Sequence, residues 1–319
     1  MTPAVLGLIL GLQADQPAAR ACTADQVAAL TAPSGRPYRL TCRAMLPPGS
    51  EIRRPILFEG AEASGASLDC GGGTIRGPGE PTSQSPTVAI WSRREGRGWS
   101  RPVDVAITDC AVVGNVRIWG MGAGRSMSAL KPSSRTAGHT IAAQSAAPMN
   151  VVLDGVRFQG VGTIPLYVGP GVTRTTVRRA VFTGRSTSTA VYLDAESAGA
   201  VIEDSLFDIR TGREQIAVDG SGANRIVRNR FELNGRGGVF LYRNCGEDGV
   251  IRHQTPSYNQ ITDNDFSGAS WVRPRAVVVG AREGNRRYCG DDAGWPFGSS
   301  ADDGDHATGN LVARNRIRP

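Results

Sequence analysis

The most constraining feature of this chain is a structural unit that repeats about every 24 residues. Six segments share a pattern in which an aliphatic residue is followed by four mostly polar residues and then a large apolar one. Successive phenylalanines of this series lie 24, 25, 24 and 35 residues apart. A unit this small cannot bury its apolar face alone, so the repeats must stack on one another. The six segments are Leu153–Phe158, Val177–Phe182, Ile202–Phe207, Ile226–Phe231, Ile261–Phe266 and Val312–Ile317.

A second series of short apolar runs is interleaved with the first. Its steps are 25, 25, 23 and 38 residues, so both series lengthen at the same place. Two series with one period predict coils that each supply two or three short strands to stacked sheets. These runs are centred on Tyr167, Tyr192, Ala217, Phe240 and Val278.

Two repeat architectures have this period. A leucine-rich repeat needs L-x-x-L-x-L followed by asparagine and a returning helix, whereas these units use β-branched and aromatic anchors. Asn229, Asn264 and Asn315 each lie two residues before an anchor, where side-chain amides of a coiled sheet can stack as a ladder. The sequence therefore favours an all-β fold, a parallel β-helix of roughly eight to ten coils.

The pattern resembles the right-handed parallel β-helix superfamily, which includes pectate lyases, polygalacturonases, chondroitinase B, and alginate lyases and epimerases. The resemblance covers roughly residues 50 to 319 and is specific for fold rather than for activity. It implies a polysaccharide-active protein. The chain lacks the D-P-H-D run of alginate epimerases and the N-T-D, D-D and R-I-K set of polygalacturonases.

Three regions are expected along the chain: a signal peptide or its remnant at 1–14, a cap at 15–50 and the β-helix at 51–319. Residues 1–14 combine an apolar run with the small-residue site Leu12-Gln13-Ala14, although a positive n-region is missing. Thr23 and Gln26 form a capping-box pattern, so a short helix should cover the first coil. We expect a secreted or periplasmic protein without a membrane span.

Six cysteines in a chain with a signal-like N-terminus favour disulfides. A metal cluster is not indicated, because the C-x-x-C spacing is absent. Cys245 and Cys289 follow what would be the same strand in consecutive coils, about 4.8 Å apart. Neighbours in sequence give the expected pairs Cys22 with Cys42, Cys70 with Cys110, and Cys245 with Cys289.

The net charge of +7 comes almost entirely from arginine, since Lys131 is the sole lysine. A basic exported protein suits a polyanionic partner, and outside the cytoplasm an acidic polysaccharide is the expected one. Solubility alone is the alternative explanation of these arginines. No nucleic-acid-binding signature is present, and we expect a monomer.

Aligning the second series places Asp194, Asp219 and Tyr242 in one register on successive coils, with Glu196 two residues after Asp194. Carboxylates about 4.8 Å apart repel unless they share a proton, a cation or an arginine. Asp194 and Asp219 are therefore candidate calcium ligands or an acid/base pair. The alternative is that both aspartates only cap turns.

Insertions at roughly 243–258 and 281–307, and a Gly- and Ser-rich excursion at 120–148, interrupt the period. Such insertions often form the binding face of a repeat protein. Arg243 is the candidate for carboxylate binding, and His253 is the candidate for proton transfer unless it is a solvated loop residue. Glu247 and Arg282 are further candidate substrate-binding residues. His139, in the excursion, could reach the same face.

The leading hypothesis is a lyase or C5-epimerase that removes the proton next to a uronate carboxylate. Arg243 and Arg282 would neutralise the carboxylate, and His253 or Tyr242 would move the proton. Calcium is the one cofactor expected. A glycoside hydrolase that uses Asp194, Asp219 and Glu196 is the alternative. A non-catalytic glycan-binding or surface scaffold protein is the third hypothesis.

Overall fold

The computed structural model describes residues 19–122, 127–282 and 292–319. Within these ranges the chain is a parallel β-helix of nine coils, and each coil gives one short strand to each of three parallel sheets. The predicted fold class and coil number are confirmed. The predicted signal segment at 1–14 lies outside the described residues.

The first sheet carries the candidate site on its outer face. Its strands run in the order of the coils. They are β1 (Tyr38–Arg39), β4 (Ile56–Glu59), β7 (Val88–Trp91), β12 (Val116–Trp119), β15 (Leu166–Val168), β18 (Val191–Leu193), β22 (Glu214–Asp219), β25 (Gly237–Tyr242) and β28 (Arg275–Val279).

The second sheet carries the aliphatic anchors of the repeat, and Leu153, Val177 and Ile202 occupy one register position on successive coils. Its strands are β2 (Arg43–Met45), β5 (Ser67–Asp69), β10 (Ala106–Thr108), β13 (Val152–Asp154), β16 (Thr176–Arg178), β19 (Val201–Glu203), β23 (Arg225–Val227), β26 (Gln260–Thr262) and β29 (Leu311–Ala313).

The third sheet carries the phenylalanine anchors. Its strands are β3 (Glu51–Ile52), β6 (Thr74–Arg76), β11 (Ala111–Val113), β14 (Arg157–Gly162), β17 (Val181–Ser186), β20 (Leu206–Phe207), β24 (Arg230–Glu232), β27 (Asp265–Ser267) and β30 (Arg316–Ile317). A short strand, β21 (Arg210–Thr211), pairs with the end of β17. A small antiparallel hairpin joins β8 (Arg93–Glu95) and β9 (Gly98–Ser100).

The interior of the coil is a continuous apolar column. Phe158, Phe182, Phe207, Phe231 and Phe266 are fully buried. Their rings stack with centroids 4.5 to 4.6 Å apart. Because the coil spacing is about 4.8 Å, equivalent rings meet face to face and the repeat fixes the register.

The predicted asparagine ladder is confirmed at the turn between the second and third sheets. The Asn229 amide donates to Asn264 Oδ1 at 3.0 Å, and the Asn264 amide donates to Asn315 Oδ1 at 3.0 Å. A second ladder was missed, in which Asn224, Asn259 and Asn310 bond in the same way. Its signal was present, because each of these residues precedes a member of the first ladder by five positions.

Helix α1 (Ala24–Thr31) begins at the predicted capping box, in which Thr23 and Gln26 bond each other reciprocally. Its Leu30 is fully buried in the core of the first coils. The predicted disulfides Cys22–Cys42 and Cys70–Cys110 are confirmed. Cys289 lies outside the described residues, so the third pairing stays a prediction.

The excursion at 120–148 contains two helices rather than only loop, namely α2 (Met127–Ser134) and α3 (His139–Ala146). Alanines favour the α3 helix, and two of them, Ala143 and Ala146, are buried. The insertions contribute α4 (Gly298–Ala301) and a 3-10 turn at Glu247–Gly249; another such turn lies at Ala61–Ala63. No helix in the described ranges has the length and apolar character needed to cross a membrane.

Candidate functional site

A cavity of about 180 Å³ lies on the outer face of the first sheet, beneath α2, α3 and the insertion at 243–258. We call it the acidic cavity because three carboxyl groups contribute to its wall, those of the buried Asp194 and Glu196 and of the exposed Asp248. This volume is below the usual range for sites that hold drug-sized ligands, so it suits one small group or one sugar unit. Its aromatic and ionisable lining residues are Trp119, His139, Tyr167, Asp194, Glu196, Asp248 and Arg252.

The sheet register places the acidic residues as the repeat predicts. Leu193 pairs with Val218, so Asp194 and Asp219, the next residues, occupy neighbouring coils. Asp219 pairs in turn with Tyr242. Both carboxylates therefore lie on the outer face of the sheet, under the insertion.

The positive charge between the two aspartates is Arg252. Its guanidinium bonds the Asp194 carboxylate directly and lies 3.3 Å from Asp219 Oδ2. Only 11% of the Arg252 side chain is exposed, and Asp219 is fully buried. Two carboxylates at the coil spacing are thus held together by one shared arginine. A shared arginine was one of the three arrangements that the sequence allowed, beside a shared proton and a shared cation.

Asp219 is a structural member of this cluster. Its carboxylate accepts the Tyr192 hydroxyl, the Asn244 backbone amide at 2.7 Å and the Asn244 side-chain amide at 2.6 Å. These bonds fix the start of the insertion on the sheet. Asp219 does not line the acidic cavity, so we assign it the positioning of Arg252 and Asn244.

The donor set does not fit the calcium site that was predicted at Asp194 and Asp219. A guanidinium already lies between the two carboxylates and offsets one of their two negative charges, whereas calcium needs six to eight oxygen ligands. Among the described residues no group of three or more acidic, histidine or cysteine side chains is arranged to hold a metal. No chemical step is therefore assigned to calcium, which stays an untested prediction.

Asp194 is the carboxylate that both touches the cluster and faces the cavity. Besides Arg252, it accepts the Tyr167 hydroxyl and the Ala195 backbone amide at 2.8 Å. A carboxylate held by a guanidinium and a phenol is preorganised, because its orientation is fixed before any ligand arrives.

Glu196 is the second carboxyl group of the cavity, and it is almost completely buried. Burial raises the pKa of Glu196 above its usual range, although hydrogen bonds from the Thr140 hydroxyl and the His253 and Gln254 backbone amides act in the opposite direction. Its φ of 63° lies in the left-handed region. Thirteen other non-glycine residues of the described chain share this conformation, so it marks a turn of the coil rather than the site.

Two histidines meet above the carboxylates, with ring centroids 5.2 Å apart. Burial, and secondarily the neighbouring His253, lowers the pKa of His139 to about 4. His139 lines the cavity, so the suggestion that the excursion reaches this face is confirmed. His253 Nε2 lies 2.6 Å from the Ser134 carbonyl oxygen, which can only accept, so that nitrogen carries a proton.

An aromatic surface leads into the cavity along the first sheet. Trp91 and Trp119 stack on adjacent coils with centroids 5.9 Å apart, and the Trp119 ring meets Tyr167 edge-on at 5.6 Å. Gly169 leaves the space for this indole, because a Cβ there would lie 2.2 Å from the Trp119 ring. Flat rings beside polar groups are well suited to a sugar ring, which has apolar faces and a polar rim.

The remaining predicted residues lie outside the acidic cavity. The Arg243 side chain is 3% exposed and bonds Asp302 Oδ1 at 2.6 Å. The Tyr242 hydroxyl accepts from Arg213 and donates to Glu214, both at 2.7 Å. His253 does not line the cavity, but its backbone amide donates to Glu196 at 2.7 Å and its ring packs against Phe297. Glu247 begins a 3-10 turn, and its side chain is not among those that the structure describes.

Arg282 and Tyr242 instead line a second cavity of about 360 Å³ further along the same sheet. We call it the arginine cavity. Its other charged lining residues are Glu214, Arg236, Arg273 and Arg275. The predicted group of site residues is therefore divided between two cavities, with Asp219, Arg243 and Asn244 between them.

Sequence reasoning missed Arg252, Tyr167 and Trp119 as site residues. Arg252 sits in a non-periodic insertion, so no repeat position indicated where it would fall. Tyr167 and Trp119 did carry a signal. Tyr167 precedes Tyr192 in register, and the runs V-A-I-W and V-R-I-W place Trp91 and Trp119 at one position.

No protein-family model matches the chain, and no curated protein is similar to it. Among solved structures, an alginate lyase from Paenibacillus sp. str. FPU-7 is 15% identical, with a TM-score of 0.32 over 86% of this chain and 92% of that one. DFA-IIIase from Arthrobacter chlorophenolicus A6 is 12% identical, with a TM-score of 0.34 over 86% and 74%.

The Streptococcus pneumoniae surface protein and adhesin PfbA is 12% identical, with a TM-score of 0.31 over 74% of each chain. At these identities and TM-scores, none of the three structures assigns an activity to this protein.

Proposed function

We propose that the protein is an exported enzyme that hydrolyses a glycosidic bond of a sugar held in the acidic cavity. One observation carries this proposal: two carboxyl groups, Asp194 and Glu196, face one small cavity beside the rings of Trp119 and Tyr167. Paired carboxyl groups in different environments are the machinery that most glycoside hydrolases use.

The two environments suggest the two roles. Glu196, whose pKa is raised by burial, is suited to protonate the glycosidic oxygen as the C1–O bond breaks. Asp194, held by Arg252 and Tyr167, is suited to stabilise the positive charge that develops at C1, either by bonding C1 or by taking a proton from water. Water supplies the new hydroxyl group and the proton that restores Glu196.

An acidic sugar is the proposed substrate class. Arg117 is 3% exposed, and its Nε and one terminal nitrogen have no hydrogen-bond partner in the described part of the chain. Its guanidinium lies 5.2 Å from the centre of the Tyr167 ring, next to the cavity wall, and burial lowers its pKa to about 10. The positive charge of Arg117 behind Tyr167 favours a substrate that carries a carboxylate near this wall.

The same arginine favours a second candidate, elimination or C5-epimerisation of a uronate. Both reactions require neutralisation of the carboxylate next to the proton that is removed. Arg117 would supply the neutralising charge, and Tyr167 and His139 are the nearest proton carriers.

The test is a screen of the purified protein on alginate, pectate, glycosaminoglycans and bacterial exopolysaccharides. Hydrolysis gives new reducing ends without ultraviolet absorbance, elimination gives both, and epimerisation gives solvent deuterium in the sugar without cleavage. We expect reducing ends alone. A protein that is retained on a polysaccharide affinity gel but yields none of these products would be a binding or scaffold protein.

Variants then test the roles. Glu196→Gln keeps the shape of the side chain but cannot serve as the acid, so kcat should fall by about a thousandfold or more. Asp194→Asn should give a similar loss. Asp208→Asn, at an exposed position away from both cavities, is the matched control and should keep full activity. Equal activity of Glu196→Gln and Asp208→Asn would remove Glu196 from the mechanism.

A further inference from the structure

The lining of the arginine cavity carries more positive than negative charge among the described residues. Four arginines and a single carboxylate, Glu214, line it. Glu214 already has its own partners, since Arg213 lies 3.1 Å away and the Tyr242 hydroxyl donates to it at 2.7 Å. The cavity is therefore cationic even after its carboxylate is counted.

Three of the four lining arginines are exposed, and within the described residues no ion pair joins them to a carboxylate. They are Arg236, Arg273 and Arg275. Arg275 pairs in register with Gly237, the residue after Arg236, so two of these cations lie on adjacent coils. Like charges on neighbouring coils of one cavity repel one another unless an anion lies between them.

Aromatic and apolar groups accompany these cations. Phe240 lines the cavity from β25, together with Val272 and Val278. The Arg282 guanidinium stacks over the Tyr242 ring at 4.5 Å. Flat rings alternating with arginines suit a ligand that combines sugar rings with anionic groups.

We propose that the arginine cavity is a binding site for an anionic glycan, which it holds through carboxylate or sulfate groups. The choice of an acidic glycan rests on the proposed function, whereas the site itself is separate from the acidic cavity. A chain bound along the first sheet would contact both cavities. The arginine cavity would then retain the polymer while one sugar unit reacts in the acidic cavity.

Binding is measured with the Glu196→Gln variant as background, so that no ligand is consumed. Oligogalacturonate and heparin oligosaccharides of equal length report carboxylate and sulfate recognition, and a neutral oligosaccharide of the same length is the blank. Arg236→Gln combined with Arg275→Gln should weaken binding of the preferred anionic ligand by about tenfold or more. Binding by the unsubstituted background should also weaken as salt rises.

Arg210→Gln combined with Arg316→Gln is the matched control, because it removes two exposed arginines from the third sheet. This control should change affinity by less than about twofold. Equal weakening by both double variants would show attraction to net charge alone and would overturn the site.

Two further results would overturn this proposal: failure of both anionic oligosaccharides to bind, or preference for a single-stranded DNA of equal charge. The site and the catalytic proposal are tested apart. Oligosaccharide binding without turnover by the wild type would leave the arginine cavity supported and the hydrolase proposal refuted.

Discussion

The two cavities lie on the same outer face of the first sheet. They differ in whether their charged side chains are buried and ion-paired. In the acidic cavity, Asp194 and its neighbour Asp219 share Arg252, and Asp194, Glu196 and His139 are buried. In the arginine cavity, Arg236 and Arg275 are exposed and have no ion-pair partner in the described chain. Fixed, buried charges suit the chemistry of one bound group, whereas exposed unpaired charges suit retention of a charged chain.

The largest expected contrast comes from removing one arginine from each cavity. Arg252→Gln leaves two buried carboxylates without their cation and should lower the free energy of unfolding by about 4 kcal/mol. Arg236→Gln removes an unpaired exposed cation and should change it by less than about 0.5 kcal/mol. Urea denaturation at neutral pH measures both.

The Arg252→Gln loss should shrink in acid, because protonated aspartates no longer repel each other. If the two variants were equally stable at neutral pH, it would be wrong to distinguish a cavity with an ion-paired arginine from one whose arginines have no ion pair.

The next effect concerns pH and belongs to the acidic cavity alone. His139 has an ordinary pKa of 6.5 that burial lowers to about 4. The unfolded chain therefore binds a proton between these values that the folded chain does not, and stability is lost as pH falls from about 6.5 to about 4. The loss should approach about 3 kcal/mol. Glu196 acts in the opposite sense, since its raised pKa favours the folded state in acid.

Comparison of wild type with His139→Gln isolates the histidine contribution. The melting temperature, measured by thermal denaturation across this pH range, should fall less steeply with decreasing pH in the variant than in the wild type. Parallel curves for the two proteins would mean that His139 is not held neutral by the fold.

A smaller effect is expected from a hydroxyl group in the wall of the arginine cavity. Tyr242→Phe removes the hydroxyl that bridges Arg213 and Glu214 at 2.7 Å to each. Loss of one buried charge-assisted bridge should cost about 1 to 2 kcal/mol. The matched variant Tyr167→Phe removes the hydroxyl that donates to Asp194. Expressed as free energies, its loss in kcat should exceed its loss in the free energy of unfolding. If Tyr242→Phe instead lowered kcat and Tyr167→Phe lowered only the free energy of unfolding, the roles assigned to the two cavities would have to be exchanged.

The smallest effect is expected at Arg243, which lies between the cavities. Arg243→Lys keeps the charge but loses the geometry of the bond to Asp302, so stability should fall by about 1 kcal/mol. Turnover should change by less than about twofold, because Arg243 lines neither cavity. A large loss of kcat with unchanged stability would instead support the role in carboxylate binding that the sequence suggested.

The periodic part of this protein was determined by its sequence alone. Anchors that recur about every 24 residues can be buried only by stacking, and stacking brings Phe158 onto Phe182 and Asn229 onto Asn264. The neighbouring positions of Asp194 and Asp219 followed from the same register. The disulfide between Cys70 and Cys110 was predicted separately, from the order of the cysteines in the sequence.

The insertions were decided only by the tertiary structure, because a segment without a period has no register to place it. The conformation of the loop brought Arg252, rather than Arg243, between the aspartates. Helix α3 brought Thr140 onto Glu196 across 56 positions of the chain. Long-range contacts of this kind depend on packing and on the neutralisation of buried charge, which local sequence patterns do not encode.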